Sequence, residues 1–396
     1  MSSSQPRREE EFNLLCELAG AELAPERVER IANWNLSTVN WSEFFRLAEH
    51  HGVLPLAARN LLEHARGLPP EIERGLRSSD EANLRRSLWF TGELARIMQH
   101  FEHRQLRAVP YKGPVLSQSI YGDPGRRSFS DLDFLISAVD FVRAKQALAK
   151  IGYRPANDLT PAVERLWLRI GYERSFDGVA GRYLVELQWA LLPHFYGVDL
   201  HSNGLGVEDL LARAGRIVVG GREMPCLSPE DSLLALCLHA AKHLWMRLIW
   251  LSDMAETLRT YSGAQTIDWS LVFSRARALG IGRILGISFW LVKNVLHSEI
   301  PKSAEAMVAA DAQARALGAE FAARLARAAA YDFESTEYFR LILKLRERRS
   351  DRWRYLWRLV WTPGVGDVEA VHLPEVLFPL YRIVRMGRLI GRVAHL

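Results

Sequence analysis

Cysteine is scarce in this chain of 396 residues, and the three cysteines present have no spacing typical of a metal site. Cys16, Cys226 and Cys237 form an odd number, whereas a disulfide framework needs pairs of cysteines. The sequence therefore argues against a small secreted domain that disulfides stabilise, and it indicates a reducing compartment.

Long apolar runs are missing as well. A helix that spans a bilayer needs roughly 20 apolar residues, yet the run from Ile284 to Val292 already ends at Lys293. The first residues, M-S-S-S-Q-P-R-R-E-E-E, contain no apolar segment of the kind that a signal peptide requires. We therefore expect a cytoplasmic protein without a membrane-spanning helix.

Positive charge is concentrated at one end of the chain. The formal net charge is +5, and residues 344–396 contain eleven Lys and Arg against five Asp and Glu. The rest of the chain is therefore close to neutral. A nucleic-acid surface spread over the whole protein is not indicated, and nucleic acid is the less favoured class of partner.

Periodicity divides the chain into four predicted parts. Apolar residues at three- and four-residue spacing predict a helical N-terminal module over 1–105 and a helical C-terminal module over 226–360. Residues 106–195 alternate between helix and strand patterns, and the predicted core covers 106–225, in which Asp131 to Ile136 is a strand. Residues 361–396 form a basic amphipathic tail. The expected fold class is α+β.

Individual elements also have expected bounds. Continuous helices are predicted over Asp231 to Leu248, Ala304 to Ala330 and Ser335 to Val360. Two strands, Gly171 to Phe176 and Arg182 to Leu191, are predicted on either side of the turn D-G-V-A-G.

The stretch Y-G-D-P-G-R-R-S-F-S-D-L-D-F places two aspartates one residue apart at the start of an apolar strand. Side chains at i and i+2 of a strand point to one face, so Asp131 and Asp133 present their carboxylates together. Two ionised carboxylates this close raise each other's pKa unless a cation offsets them. Mg²⁺ suits such a pair because it takes oxygen ligands and leaves positions free for phosphate oxygens. The alternative is a solvated strand end or a helix cap.

Residues on either side supply positive charge and a third carboxylate. Lys112 and Gly113 open a short predicted helix, where a glycine lets phosphate approach the backbone and the helix N-terminus favours anions. Arg127 stands before the acids and is a candidate to orient the loop or to pair with phosphate. On the strand R-Y-L-V-E-L-Q-W, Glu186 and Gln188 share one face. Glu186 would complete a three-acid metal site and accept the proton of the attacking hydroxyl.

These motifs resemble those of a known family. K-G-x(7)-Y-x-D-P-G-x-R-x(3)-D-L-D-F-L-I, then L-x(3)-G-Y and V-E-L-Q-W, resembles the uncharacterised nucleotidyltransferase family of the polymerase-β-like superfamily. The resemblance continues in L-S-P-E-D-S-L-L-A-L-C-L-H-A-A-K-H and R-L-I-W-L-S-D-M, and before the site in N-W-S-E-F-F-R-L-A-E-H-H-G-V-L-P-L. It covers residues from about 40 to 260.

The resemblance implies a mixed sheet flanked by helices and a nucleoside triphosphate as donor substrate. It also implies two Mg²⁺ ions at Asp131 and Asp133, with Glu186 matching the family's third acid. The nucleotide would be held by residues that match the family's K-G and arginine, namely Lys112, Gly113 and Arg127.

The expected reaction moves a nucleoside monophosphate to a hydroxyl or similar acceptor and releases pyrophosphate. By analogy the acceptor is a small molecule, a sugar or a peptide. This chain departs from the family at Gln188, where histidine is usual, and K-G replaces the superfamily's glycine-serine signature. The alternatives are an inactive nucleotide-binding or regulatory module of the same fold and an enzyme that modifies nucleic-acid ends.

The segment H-A-A-K-H places His239 and His243 four residues apart on one predicted helix face. A zinc site is one interpretation, but the glutamate of H-E-x-x-H is missing, and a core or supporting pair is favoured. Lys242 is expected to neutralise the triphosphate, because related nucleotidyltransferases place a helical lysine there. A solvated surface lysine is the alternative. Asp253 is expected either to orient one of the histidines or to lie exposed on its helix.

The tail combines arginine with aromatic and aliphatic residues. In its last segment the arginines recur at three- and four-residue spacing, which places them on one helix face and the aliphatic residues on another. The arginines are Arg382, Arg385, Arg388 and Arg392. Such a helix can lie on an anionic membrane surface, bind nucleic acid or a partner, or pack on the body with its arginine face in solvent. The last alternative is favoured.

Overall fold

A mixed five-stranded sheet forms the centre of the computed structural model, which describes residues 5–178, 184–263, 266–328, 332 and 335–394. Its strand order is β1-β2-β5-β4-β3. Strands β2 and β5 are parallel, and the other neighbours are antiparallel. The strands β1–β5 are Ala108–Pro110, Asp131–Ile136, Arg154–Pro155, Glu173–Asp177 and Leu184–Gln188.

Helices surround this sheet and make up both flanking parts of the chain. Before the sheet, α1–α5 are Gln5–Leu18, Pro25–Ala32, Trp41–His51, Leu54–His64 and Pro70–Glu102. Within the sheet region, α6–α9 are Gly113–Leu116, Phe141–Lys150, Pro161–Ile170 and Val207–Arg213, and a hairpin of β6 and β7 follows at Gly215–Val219 and Arg222–Cys226. After it, α10–α15 are Pro229–Lys242, Leu248–Thr260, Trp269–Leu279, Gly282–Val295, Lys302–Ala310 and Ala312–Ala326, and α16–α19 are Thr336–Lys344, Arg349–Trp361, Val365–Ala370 and Tyr381–Ala394.

The α+β class and the mixed sheet flanked by helices are confirmed. The predicted strand from Asp131 to Ile136 is also confirmed at both ends. Its apolar half is buried because β2 lies between two neighbouring strands, and Phe134 packs edge-on against Phe101 of α5 with ring centroids 5.7 Å apart. The strand therefore holds its aspartates on a rigid central element.

The N-terminal and later helices share one apolar core. Leu14 of α1 and Ile287 of α13 belong to the same buried cluster. Hydrogen bonds join the two parts, with Ser252 Oγ donating to the Ala19 carbonyl oxygen at 2.8 Å and the Ala21 amide donating to Glu256 Oε1 at 2.7 Å. A second cluster lies between the sheet, α5 and α7. The division at residues 105, 225 and 360 stays a prediction.

Three long helices were predicted wrongly as continuous. The helix expected over Asp231 to Leu248 ends at Lys242, because Leu244 and Trp245 adopt left-handed backbone conformations with φ of 51° and 52°. The helix expected over Ala304 to Ala330 is divided at Asp311, whose carboxylate accepts hydrogen bonds from the first backbone amides of α15. Such a cap favours a new helix start over continuation.

The third long helix and several shorter elements also differ from the prediction. The segment expected as one helix over Ser335 to Val360 forms α16 and α17, and the β6–β7 hairpin and α8 were not predicted. Residues 179–181 of the predicted D-G-V-A-G turn lie outside the described residues. Within the described part of the chain, no helix combines the length and the apolar character needed to cross a bilayer.

The last helix packs in the opposite way to the favoured prediction. Arg385 is only 7% exposed, donates to the Leu359 carbonyl oxygen at 3.2 Å and lies 3.6 Å from Asp367. Arg388 pairs with the same buried carboxylate at 2.6 Å. Ile383 and Ile390 are instead 60% and 68% exposed. A buried aspartate needs nearby positive charge, so Asp367 draws the arginine face inward.

We expect Asp367→Ala to release α19 from the body. The substitution leaves two arginines facing a site without a counter-charge, and loss of one partner of a buried ion pair costs about 2–4 kcal/mol after allowance for partial exposure. Hydrogen exchange of residues 381–394 should therefore increase, while the exchange of β2 stays unchanged.

The matched control is Glu375→Ala, because Glu375 pairs with Arg165 at 2.8 Å in an exposed position. Exposed pairs contribute less than about 1 kcal/mol, so this control should leave the exchange of α19 unchanged. Equal protection of α19 in wild type and Asp367→Ala would show that the pairing does not hold the helix.

Candidate functional site

Three acidic side chains lie on one face of β2 and β5. Asp133 is the register partner of Glu186 across the parallel pair, and Asp131 lies two residues before Asp133 on the same strand face. In the antiparallel partner β4, Ser175 is opposite Glu186 and Glu173 is opposite Gln188. The structure therefore brings together the acids that the sequence singled out and adds Glu173 at the margin.

Lys112 supplies the positive charge beside the aspartate pair. Its Nζ donates to Asp133 Oδ1 at 2.9 Å and lies 5.1 Å from the centre of the Tyr111 ring. Burial lowers the pKa of Lys112, but the charge of Asp133, followed by Tyr111 and Asp131, raises the pKa above its usual range. The ammonium group therefore stays charged at the centre of the site.

Gln188 joins the acids to one another. The side chain is buried, and its Nε2 donates to Asp133 Oδ1 at 2.9 Å and to Glu186 Oε2 at 3.0 Å. Its Oε1 accepts from the Tyr111 hydroxyl at 2.6 Å. Burial raises the pKa of Tyr111, so the hydroxyl keeps its proton and fixes the orientation of the amide.

Too little positive charge lies near Asp131 and Glu186 to keep the pKa values of both carboxyls in their usual range. Burial, and then the charge of Asp133, raises the pKa of Asp131 to about 6. Burial, and then the charges of Asp133 and Glu173, raises the pKa of Glu186 to about 8. Lys112 lowers both pKa values only in part. The site can therefore accommodate further positive charge.

The donor chemistry of the site fits a hard divalent cation. Asp133 Oδ2 is buried and has no hydrogen-bond partner among the described residues, and the surrounding ligands are carboxylate oxygens of the type that Mg²⁺ takes. Among the described residues, no group of three His, Cys, Asp or Glu side chains is arranged so that it could hold a metal ion. Asp133 Oδ1 is occupied by Lys112 and Gln188. An ion at Oδ1 would have to displace Lys112 or Gln188, whereas no described side chain engages Oδ2.

Lys242 reaches the site from the end of α10 and is not a solvated surface lysine. It is 8% exposed, lies 4.6 Å from the centre of the Tyr172 ring and is 3.8 Å from Glu173 Oε2. Burial lowers its pKa, and the charge of Glu173 offsets part of that effect. The Lys242 carbonyl oxygen accepts hydrogen bonds from the hydroxyls of Tyr196 and Tyr338 at 3.1 and 2.9 Å, which fixes the end of the helix.

Tyr172 and Glu173 were not recognised in the sequence. The Tyr172 hydroxyl donates to Glu173, and Lys242 Nζ donates to the Tyr172 hydroxyl at 3.2 Å. The predicted strand already contained both residues, but its pairing with β5 was not known. Only that register places Glu173 beside Gln188.

Arg127 makes a buried ion pair with Asp253 of α11. Its Nε and Nη2 donate to the two carboxylate oxygens at 3.0 and 3.1 Å, and the Tyr121 hydroxyl donates to the same group at 2.9 Å. The prediction that Asp253 orients a histidine or lies exposed is therefore wrong. Arg127 lowers the pKa of Asp131, so its charge acts on the acids. Its predicted contact with nucleotide stays a prediction.

Gly113 follows Lys112 in a backbone conformation that favours glycine, and not for lack of space. Its φ of +58° lies in the left-handed region, and an added Cβ would lie 3.5 Å from the Asp131 carbonyl oxygen. The helix that it opens is short, Gly113–Leu116, and continues as a π-helical turn over Ser117–Tyr121. A glycine is therefore required here by backbone conformation.

The two histidines of H-A-A-K-H pack against each other. The rings of His239 and His243 have centroids 4.9 Å apart, and each lies 5.2–5.3 Å from the Trp250 ring. Burial lowers the pKa of both imidazoles well below the usual range, so they are neutral. Their contacts agree with the favoured interpretation of a core or supporting pair.

Comparison with known proteins places the chain in a family. The model of an uncharacterised nucleotidyltransferase family matches residues 37–297, which is more than half of the chain and includes every site residue described above. No curated protein and no solved structure matches the chain. The resemblance seen in the sequence is thus confirmed, and the chain belongs to this uncharacterised nucleotidyltransferase family.

Proposed function

We propose that this protein transfers a nucleoside monophosphate from a nucleoside triphosphate to an acceptor and releases pyrophosphate. The proposal rests on one observation: in a chain of this family, Asp131, Asp133 and Glu186 lie on the same face of adjoining strands. The acceptor group is a hydroxyl or a similar nucleophile on a small molecule, a sugar or a peptide. The near-neutral body makes nucleic acid the less favoured acceptor.

The three acids would hold Mg²⁺, with two ions in the complete site. When bound, the ions supply positive charge at the attacking and leaving oxygens of the phosphate chain. The unpartnered Asp133 Oδ2 and the raised pKa values of Asp131 and Glu186 support this part of the proposal, because each reflects a shortage of positive charge.

The lysines on either side of the acids would bind the phosphates. Lys112 Nζ lies on Asp133, and it would turn to the phosphate oxygens if this carboxylate held a cation instead. Lys242, Gly113 and Arg127 would complete the phosphate site. Such positive groups stabilise the charge that develops during phosphoryl transfer.

Glu186 is the proposed proton acceptor. Its carboxylate lies on the same strand face as the aspartate pair, where it would accept the proton of an acceptor hydroxyl, directly or through a bound ion. Gln188 is the proposed positioning residue, because its amide hydrogen bonds hold Glu186 beside Asp133. The pairing of Lys112 with Asp133 is the observation that would support the alternative, an inactive nucleotide-binding module.

The double substitution Asp131→Asn, Asp133→Asn should abolish transfer. Without these carboxylates the cations that would stabilise phosphate charge are no longer held, and loss of such stabilisation lowers rates by at least about a hundredfold. The measurement is pyrophosphate release from ATP with Mg²⁺ and panels of sugars, small metabolites and peptides, with mass spectrometry of the acceptors.

The matched control is Asp140→Asn, which removes a carboxylate that pairs with Arg143 at 2.7 Å outside the site. It should retain the wild-type rate. Nucleotide retained by the wild type without pyrophosphate release over any acceptor would support the binding module instead.

Mg²⁺ binding should release protons at pH 7. A cation beside Glu186 lowers the pKa of a group that is otherwise protonated below about pH 8. Calorimetric titration in buffers of different ionisation enthalpy should therefore give different apparent enthalpies at pH 7, and the difference should disappear as pH rises above 8. Glu186→Gln should reduce this difference in apparent enthalpy at every pH below about 8.

The same raised pKa fixes the sign of the contribution that Glu186 makes to the pH dependence of stability without metal. Between the ordinary pKa of 4.5 and about 8, Glu186 keeps a proton in the folded protein that it loses in the unfolded chain, so its contribution to the free energy of unfolding should fall as pH rises through this window. Urea denaturation of Glu186→Gln should show a flatter dependence. Identical slopes, with identical enthalpies in all buffers, would contradict the proposed role of Glu186.

Gln188→Leu should weaken Mg²⁺ binding by about 10–100-fold, because partners that orient metal ligands contribute effects of this size. Gln188→His restores a ring N–H donor and should recover part of the affinity. Gln99→Leu, on the exposed face of α5, is the matched control. Wild-type affinity in Gln188→Leu would remove the positioning role.

A further inference from the structure

The tail forms a second charged and apolar region, which the proposed reaction does not use. The docking of Arg385 and Arg388 on Asp367 leaves Ile383 and Ile390 of α19 in solvent. On α17, Trp353 and Trp357 lie one turn apart and are 74% and 63% exposed. We call this region the tail surface, and its exposed apolar residues are Trp353, Trp357, Val376, Leu380, Ile383 and Ile390.

A basic groove adjoins these apolar side chains. It encloses about 650 Å³ between α8, α17 and the segment that leads into α19. Its arginines are Arg165, Arg169, Arg358 and Arg382, and Glu375, which pairs with Arg165, is its one acidic lining residue. Arg382 lies over the Trp361 ring at 5.9 Å and precedes Ile383, so the groove and the aliphatic stripe meet there.

We propose that the tail surface docks the protein on the face of an anionic phospholipid bilayer. The aliphatic and tryptophan side chains would enter the boundary between headgroups and acyl chains, as amphipathic helices do when they lie in the membrane plane. The groove arginines would bind the lipid phosphates through charge-assisted hydrogen bonds. The protein would lie on the bilayer rather than cross it.

Both chemical features of the surface are needed to identify this partner. Exposed aliphatic residues such as Ile383 and Ile390 offer nothing to a nucleic-acid backbone, whereas acyl chains cover them. A second copy could cover the aliphatic side chains, but a two-fold interface places the same patch on both sides. Both patches would carry the same excess of arginine, so their contact would concentrate positive charge. An anionic bilayer complements the apolar and the basic parts together.

Vesicle flotation tests the proposal with the full-length protein in the absence of nucleotide. The protein should float with vesicles of equal parts phosphatidylcholine and phosphatidylglycerol, and should not float with pure phosphatidylcholine. The double substitution Ile383→Asp, Ile390→Asp should lower the partition coefficient by at least about tenfold, because it removes apolar burial and adds negative charge. The double substitution Arg169→Glu, Arg382→Glu should lower the partition coefficient similarly. High salt should weaken the binding of the wild type to anionic vesicles.

Matched controls use apolar residues that are equally exposed elsewhere. Val139 and Val218 are 86% and 60% exposed, and Val139→Asp, Val218→Asp should bind vesicles as the wild type does. Circular dichroism verifies the fold of each variant. Brominated lipids provide a test that needs no charged substitution, because they should quench the wild-type tryptophan fluorescence more than that of Trp353→Phe, Trp357→Phe.

Three outcomes would overturn the proposal. The first is a wild-type protein that does not float with anionic vesicles. The second is unchanged partition in both charged variants. The third is a dimer in sedimentation experiments that the same substitutions dissociate, which would identify a second copy as the occupant. Because no nucleotide is present, failure here leaves the proposed transferase activity untouched.

Discussion

Carboxylates on neighbouring strands repel each other, and the residues around the candidate site offset that repulsion. Lys112 brings a positive charge to Asp133, and Gln188 donates to two acids at once while Tyr111 holds its amide in place. This compensation is incomplete, since Asp131 and Glu186 keep raised pKa values. An acidic cluster that stays short of positive charge is suited to a cationic ligand and to the phosphates that such a ligand brings.

Local patterns in the sequence predicted the parts of the site that depend on neighbouring residues. The strand Asp131 to Ile136 and the common face of its aspartates follow from a period of two, which is a property of the chain itself. The partner of Arg127 did not follow, because Asp253 is distant in sequence and belongs to another helix. Tyr172 and Glu173 were missed for the same reason, since strand register depends on tertiary packing.

The tail shows a second limit of sequence patterns. Arginine spacing correctly predicted a helix with two different faces, but periodicity does not say which face is buried. Asp367 decides this, because its carboxylate is removed from water and draws Arg385 and Arg388 towards it. A single buried charge can thus reverse the orientation expected for an amphipathic helix. It also leaves the apolar groups where another molecule can reach them.

The glutamine at position 188 has a consequence for acidity. An imidazole at this position would gain a proton in mildly acidic solution and would then alter the field at Asp133 and Glu186. The amide of Gln188 carries no titratable proton, so it donates to both carboxylates in acid and in base alike. The ionisation behaviour of this centre therefore belongs to its carboxylates and its lysines, and a neutral amide holds the frame constant while they change.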